Sequence, residues 1–293
     1  MLLPKYRKVI IDPATIQSLL ATAHRAADAA SIPTMRHFRQ PIDVENKLSS
    51  GQFDPVTVAD KAAETAIKEV VLNEFPDHGF FGEESEQRIH LDAPLWIVDP
   101  IDGTRAFITG MPLWGTLISV YDGDDAVIGL LDQPFLQERF IGFPGDHYQR
   151  EEPSTLSSAW QSLLITPNGQ TPVMTRKNCA IEKAIIQTTA PEFFYGTPHQ
   201  EMFEALCERA EMVRYGGDCY CYALLAHGFV DIVIENGLQP YDIAALIPIV
   251  RGAGGVITDW QGGTAVGGGS VVACGSAQLH NEVLELIAQT GST

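Results

Sequence analysis

Two aspartates stand three positions apart at the end of an apolar run in the segment WIVDPIDGTRAFITG, residues 96–110. Carboxylates at the end of a buried strand repel each other and lose hydration, which costs free energy unless something neutralises them. The backbone carbonyl of Ile101 lies between Asp99 and Asp102 in the sequence and offers a further oxygen at the same point. Clustered oxygen ligands attract divalent cations, so the segment predicts a metal site.

The turn that follows these aspartates has the features of an anion site. Gly103 allows the backbone to turn tightly, and Thr104 to Ile108 are predicted to form a short helix. The free amides at a helix start attract anions. A turn with one capping aspartate would explain one carboxylate and leave the other unexplained, so we favour a metal beside a phosphate.

Three other segments contain candidate carboxylates, and each also has an ordinary structural explanation. In DPVTVAD, Thr57 is a plausible N-cap with Asp60 three residues later, which is a capping-box pattern. In GFFGEES, Glu83 follows an apolar strand and could belong to a surface turn. In QPYDIAALIPIVRGAGG, Asp242 follows Pro240 and could cap a helix.

Four of these carboxylates make chemical sense as one set. Glu83, Asp99, Asp102 and Asp242 are each predicted at the end of a strand or the start of a helix, where α/β architectures gather their sites. Carboxylates alone would repel a phosphate. Two magnesium ions about 3.5–4 Å apart reverse the local charge and hold both the attacking and the leaving oxygen.

The hydrophobic pattern divides the chain into two halves that could position these residues. Residues 1–144 are predicted as a helix-plus-antiparallel-sheet half that carries most metal ligands, and residues 145–293 as an α/β half with the last aspartate. The first half has predicted helices at 13–39 and 58–75 and strands at 78–81, 96–98, 117–121, 126–131 and 138–141. Residues 144–176 are polar and are predicted as a surface crossover.

The second half alternates between the two kinds of element. Helices are predicted at 200–210, 220–227 and 243–251, and strands at 184–188, 212–215, 230–234, 256–258 and 271–273.

Composition excludes some classes of function. The 293 residues include 19 Lys and Arg against 37 Asp and Glu, a formal net charge of −18. Such a chain repels nucleic acid and anionic membranes, so neither is an expected partner. The 5 cysteines contain no zinc-type pair and are expected to be reduced thiols. No signal peptide or membrane-spanning run is evident, and we expect a cytoplasmic protein.

The motifs DPVTVAD, GEES, DPIDGT and YDIAA with GAGG resemble those of the inositol monophosphatase family. The resemblance extends from about Asp54 to Asp259 and departs from the family pattern at Tyr241, where a tryptophan is usual. It implies a layered α/β/α/β/α fold of the α/β (α+β) class and a Mg²⁺-dependent phosphatase. It also implies a homodimer that acts on a small phosphomonoester.

The resemblance assigns two or three Mg²⁺ ions to the site. Glu83, Asp99 and the Ile101 carbonyl would hold the first ion. Asp99, Asp102 and Asp242 would hold the second, and Glu83 with waters could hold a weaker third.

The same resemblance assigns the catalytic roles. Thr104, hydrogen-bonded to Asp60, would position the attacking water with help from Glu83. The amides of Gly103 and Thr104 would bind the phosphate, and attack would be in line, without a phosphoenzyme. Lys47 occupies the position of a mobile loop, although a solvated loop lysine explains it equally well.

Two longer stretches, at residues 107–134 and 214–242, are most similar to the histidinol-phosphate phosphatase branch of the family. Asp102, Asp218 and Glu235 would then contact the substrate, although Asp218 could instead cap the helix that follows it. Two carboxylates near the leaving group suit the ammonium and imidazole of histidinol phosphate. An inositol-phosphate or general sugar-phosphate phosphatase stays open, and so does a metal-binding protein without catalysis, although every expected ligand is present.

Overall fold

The computed structural model describes residue 3 and residues 7–46, 55–145 and 160–290 of the chain. The helices in these residues are α1 (Pro13–His37), α2 (Val58–Glu74), α3 (Thr104–Ile108), α4 (Gln200–Arg209), α5 (Asp218–Ala226), α6 (Pro240–Ile243), α7 (Leu246–Gly252) and α8 (Ala277–Thr290). The strands before the undescribed segment at 146–159 are β1 (Val44–Asn46), β2 (Pro55–Thr57), β3 (Gly79–Gly82), β4 (Leu95–Asp102), β5 (Gly115–Tyr121), β6 (Ala126–Gln133) and β7 (Glu138–Pro144). The later strands are β8 (Trp160–Thr166), β9 (Gly169–Pro172), β10 (Ile185–Thr188), β11 (Met212–Tyr215), β12 (Ile232–Leu238), β13 (Val256–Asp259) and β14 (Gly269–Cys274).

Two sheets and three layers of helices make up the body of the protein. Helices α1 and α2 cover one face of a seven-stranded sheet, and α5 and α7 pack between that sheet and a five-stranded one. Helices α4 and α8 cover the outer face of the five-stranded sheet. The predicted α/β/α/β/α layering is therefore confirmed.

The seven-stranded sheet runs in chain order, β3 to β9, and only its β3–β4 pair is parallel. The five-stranded sheet has the order β11-β10-β12-β14-β13, with β10 parallel to both of its neighbours. Strand β4 is buried along almost its whole length, because helices cover both faces of its sheet. Strand β4 also contacts α6, which leads directly into α7 of the middle layer.

The prediction that residues 144–176 form a surface crossover is wrong for residues 160–172. Residues 160–166 and 169–172 form β8 and β9, which extend the seven-stranded sheet by antiparallel pairing. All of β9 is exposed, so it lacks the apolar alternation that marks a strand in sequence. Its hydrogen bonding to β8, rather than its own composition, makes this segment a strand.

The helix predicted at 243–251 is divided into α6 and α7, with a break at residues 244–245. Pro248 has no N–H to donate to the carbonyl of Ala244, and its ring crowds that carbonyl, so the helix cannot run through. Helix α8 was not among the sequence predictions, whereas the helices predicted at 13–39 and 58–75 are confirmed as α1 and α2. Among the described residues, no helix combines the length and apolar character that crossing a bilayer requires.

A close backbone contact sets the distance between the seven-stranded sheet and the middle helices. Gly129 on β6 packs against the carbonyl of Ala245, and Gly142 on β7 packs against the backbone of Pro248. A β-carbon at either glycine would overlap these atoms. Because α6 lies directly before α7, these contacts also determine how closely Asp242 approaches β4.

We expect Gly129→Ala to lower the free energy of unfolding by about 3 kcal/mol, because the added methyl group must push α7 away from the sheet. Chemical denaturation monitored by circular dichroism measures this change. The control is Gly267→Ala, whose β-carbon meets nothing within 4 Å and should change the stability by less than about 0.5 kcal/mol. Equal stability of the two variants would contradict the close contact.

Candidate metal centre and active site

A β-bulge brings the two aspartates of β4 to one side of the sheet. Along a regular strand, residues three apart point to opposite faces. Here Asp99 pairs with Leu117 and Asp102 with Gly115, so one extra residue is inserted into β4 between the two pairs. Because of this extra residue, both carboxylates point to the same face of the sheet. A hydrogen bond from the Thr116 hydroxyl to the Pro100 carbonyl, at 2.8 Å, holds the bulge.

Backbone amides fix the orientation of both carboxylates. The N–H of Ile101 donates to Oδ1 of Asp99 at 3.0 Å. The N–H of Cys219, in the first turn of α5, donates to Oδ2 of Asp102 at 2.6 Å. Asp102 thus satisfies an amide at the start of a helix from the middle layer, as a capping side chain would. This bond ties the end of β4 to α5.

Helix α6 brings the third carboxylate from the second half of the chain. Asp242 accepts the N–H of Gln239 at 2.7 Å and forms a capping box at the start of the helix. The N-cap of this helix is Gln239, so Asp242 is not itself the N-cap but supports the helix start from the third helical position, and the same side chain also reaches the β4 carboxylates. Oxygens of Asp99, Asp102 and Asp242 lie within 4.8 Å of one another.

Glu83 completes the acidic group, because its side chain is hydrogen-bonded to Asp99. Burial, and then the neighbouring charges of Glu83 and Asp102, raise the pKa of Asp99 well above its usual value. Burial raises the pKa of Asp102 in the same direction, with further contributions from Asp218 and Asp242. The cluster therefore disfavours its own charged state until a cation is bound.

The donor set fits a hard divalent cation. Each of the three clustered residues offers a carboxylate oxygen, the ligand type that magnesium, calcium and manganese prefer. The cluster contains neither the thiolates nor the imidazoles that select zinc or copper. Its raised pKa values are those expected of carboxylates arranged for a positive charge.

Helix α2 and the first residue of α3 provide the predicted catalytic pair, Asp60 and Thr104. Asp60 is 0% exposed, and its Oδ2 accepts both the N–H and the hydroxyl of Thr57, at 2.9 and 2.6 Å, so the predicted capping box is confirmed. The Thr104 hydroxyl donates to the carbonyl of Ile101 at 3.1 Å. The hydrogen bond from Thr104 to Asp60 stays a prediction, and Lys47 lies outside the described residues.

A cavity of 550 Å³ opens beside the cluster, between the end of β4 and the five-stranded sheet. Its walls include the predicted site residues Asp102, Gly103, Thr104, Asp218, Glu235 and Asp242. Residues from both halves of the chain therefore line one space, and its volume suits a small organic ligand.

Asp218 lies directly against the turn that follows β4. A β-carbon on Gly103, which has φ of +83°, would be 3.1 Å from the Asp218 side chain. Asp218 is the first residue of α5 and has a positive φ of 43°, while Gly217 is the N-cap. The alternative that Asp218 caps this helix is therefore wrong, and its strained backbone aims the carboxylate at the cavity. Burial raises the pKa of Asp218 to about 6, against the lowering effect of Arg105.

Glu235 comes from β12 and is only 1% exposed, although it lines the cavity. Its Oε1 accepts the N–H and the hydroxyl of Thr189, at 2.6 and 2.9 Å, and its Oε2 accepts the hydroxyl of Thr188 at 3.2 Å. Burial outweighs these bonds and raises the pKa of Glu235 to about 8.

The sequence analysis missed several residues that line the cavity, among them Arg105, Thr189, Phe193 and Asn236. Thr189 follows β10, and the carboxyl end of a parallel strand is a recognisable signal. Arg105 follows Thr104 directly and could have been found by its position. Phe193 has no such signal. It lies in a short helical turn, and its backbone carbonyl accepts a hydrogen bond from the side-chain amide of Asn236 at 2.9 Å.

Comparisons with known proteins point to one protein family. A profile of the inositol monophosphatase family matches residues 15–292. The chain is 37% identical to the bifunctional phosphatase IMPL2, chloroplastic, of Arabidopsis thaliana, over 90% of this chain and 73% of that one. It is 32% identical to a histidinol-phosphatase of Chlorobaculum parvum, over 93% of this chain and 96% of that one. A solved inositol monophosphatase from Zymomonas mobilis superposes with a TM-score of 0.77 at 35% identity, over 93% and 98%.

We expect Asp99→Asn to stabilise the metal-free protein by on the order of 1–2 kcal/mol at pH 7.5. Since the folded-state pKa of Asp99 is raised, its charge opposes folding above the unfolded-state pKa. The amide oxygen of asparagine can still accept the Ile101 N–H. The difference should become small by about pH 3, where the aspartate is largely protonated in both states.

Urea denaturation in chelator and then in excess magnesium measures this effect. Magnesium should stabilise the wild-type protein by mass action and the variant much less. A variant less stable than wild type in chelator would contradict the repulsion between these carboxylates.

Proposed function

The chain belongs to the inositol monophosphatase family, and we propose that it hydrolyses L-histidinol phosphate to L-histidinol and phosphate with Mg²⁺ as the cofactor. The family and the relatives support a phosphoric monoester hydrolase. The observation that carries the choice of substrate is the partly buried carboxyl of Asp218 beside Gly103, in the same cavity as the acidic cluster. A homodimer and a cytoplasmic location stay predictions.

The residues proposed to hold two or three magnesium ions are Glu83, Asp99, Asp102, Asp242 and the Ile101 carbonyl. Bound magnesium would neutralise the phosphate charge and lower the pKa of a coordinated water. The chain itself contributes the fixed positions of these oxygens, which the Ile101, Cys219 and Gln239 amides orient before any ligand binds.

The turn after β4 would hold the phosphate and the attacking water. The amides of Gly103 and Thr104 are proposed to donate to the phosphate oxygens at the start of α3. The Thr104 hydroxyl, which now donates to the Ile101 carbonyl, is proposed to orient the water together with Asp60 and Glu83. Asp60 is buried, and the backbone of Glu83 is hydrogen-bonded to β4, so both side chains are positioned before the substrate binds.

Asp218 and Glu235, which also line the cavity, would select the leaving group. At neutral pH the Asp218 carboxyl, with a pKa of about 6, is mainly ionised and can accept a primary ammonium. Glu235, with a pKa of about 8, is mainly protonated until a cation approaches it. A charge-assisted hydrogen bond contributes roughly 1.5–3 kcal/mol, about one to two orders of magnitude in selectivity. An uncharged polyol gains less from the same wall.

Inositol 1-phosphate is the second candidate substrate. It is supported by the likeness to the Zymomonas mobilis inositol monophosphatase, which covers 93% of this chain at 35% identity. Glu235 could accept a hydroxyl from a polyol as well as an ammonium. Asp218 is the residue that separates the two candidates, since a polyol gives no reason for a second carboxyl beside Glu235 in the cavity.

We expect kcat/KM for histidinol phosphate to exceed that for myo-inositol 1-phosphate by more than tenfold, which is more than about 1.4 kcal/mol. The measurement is phosphate release by the purified protein with magnesium, with both esters at the same pH. We expect Asp218→Asn to lower kcat/KM for histidinol phosphate by about 10–100-fold and to change that for inositol phosphate by less than about threefold.

The control variant is Asp77→Asn, which changes an exposed aspartate in the turn after α2 and should affect neither ester. Equal rates on the two esters, or a preference for inositol phosphate, would overturn the substrate and leave the metal chemistry standing. A uniform loss of activity in Asp218→Asn would show that Asp218 does not select the leaving group.

A further inference from the structure

Glu64 on α2 is a buried carboxylate that the proposed reaction does not use. Its side chain is only 1% exposed, and Oε2 accepts the backbone N–H of Glu84 at 2.7 Å. The other oxygen, Oε1, has no hydrogen-bond partner among the described residues. A buried carboxylate with an unsatisfied oxygen is costly, so it needs an explanation beyond packing.

The segment that Glu64 contacts is the one that carries Glu83. Gly82 ends β3 with its α-carbon over the Glu64 carboxylate, where a β-carbon would overlap that group. The N–H of Glu83 donates to the carbonyl of Val98 on β4 at 3.2 Å. Consecutive amides at 83 and 84 are thus held by two different elements, which fixes the peptide between them.

This arrangement controls the direction of the Glu83 side chain. The bond to Val98 ties residue 83 to the strand that carries Asp99, and the bond to Glu64 stops the following peptide from rotating. Helix α2 presents Asp60 one turn before Glu64, so one rigid helix supports both predicted catalytic acids.

We propose that Glu64 is a positioning residue for metal binding: through the Glu84 amide it holds Glu83 against Asp99 and thereby sets the magnesium affinity of the site. The proposal rests on the proposed function for the metal but not for the substrate. Glu64 does not itself contact the ion. Its role predicts a change in metal affinity without a matching change in the turnover rate at saturating magnesium.

The first test is isothermal titration calorimetry of magnesium into the full-length, metal-free protein without substrate. Glu64→Met keeps the volume and removes the acceptor, and we expect it to weaken magnesium binding by about 10–100-fold. Glu64→Gln keeps an oxygen that can accept the Glu84 N–H, and should weaken binding by less than about fivefold. With saturating magnesium, kcat of both variants should stay within about threefold of wild type.

Gly82→Ala tests the same contact from its other side and does not depend on the folding of Glu64→Met. The added methyl group must displace the Glu64 carboxylate, so this variant should also weaken magnesium binding by about tenfold. Shortening the Glu64 side chain to alanine makes room for the methyl group. The double variant Gly82→Ala/Glu64→Ala should therefore bind no more weakly than Glu64→Ala alone.

The matched control is Glu69→Gln, which changes an exposed glutamate on the same helix. It should bind magnesium as the wild-type protein does.

Unchanged magnesium affinity in folded Glu64→Met or in Gly82→Ala, with only a lower melting temperature, would show that Glu64 is structural and would overturn this inference alone. Absence of magnesium binding by the wild-type protein would overturn both the inference and the proposed metal chemistry. Normal magnesium binding without histidinol-phosphate hydrolysis would overturn the substrate and leave Glu64 standing.

Discussion

Repulsion among carboxylates held at the end of β4 is the constraint on which the site depends. Asp99, Asp102 and Asp242 approach within 4.8 Å, and burial with mutual repulsion raises the pKa of the two β4 aspartates. Such an arrangement persists only where the surrounding structure fixes it. A β-bulge and backbone amides from the bulge itself, α5 and α6 provide that fixation. A bound cation would relieve this repulsion, so the free energy that the repulsion costs the metal-free protein adds to the affinity for the cation.

The layered architecture explains how residues distant in sequence reach this point. The seven-stranded sheet supplies Glu83, Asp99 and Asp102, while the middle layer supplies Asp218 and Asp242. Backbone contacts at the β6 and β7 glycines set the separation of these layers. The five-stranded sheet closes the cavity with Glu235, which three hydrogen bonds from Thr188 and Thr189 hold in place. The middle layer therefore contributes to both metal binding and substrate selection, with Asp242 and Asp218 respectively.

Most of the acidic cluster could be predicted from the sequence, because each carboxylate follows an apolar strand or starts a helix and its motif resembles a known family. The layer order followed from that resemblance rather than from periodicity. Strand β9 could not be predicted, since it is exposed and depends on pairing with β8. The bulge that turns Asp99 and Asp102 to one face, and the contacts of Glu64 and Phe193, arise from tertiary packing that no local pattern encodes.

The central claim is that this cluster is a divalent-metal site whose occupation prepares the cavity for a phosphate ester. The most direct test is anomalous diffraction from crystals of the full-length protein soaked with manganese, which takes the same oxygen ligands as magnesium. The account predicts anomalous peaks bounded by Glu83, Asp99, Asp102 and Asp242, with Glu83 in place as a ligand. Manganese bound only elsewhere, or no peak among these carboxylates at saturating metal, would contradict it.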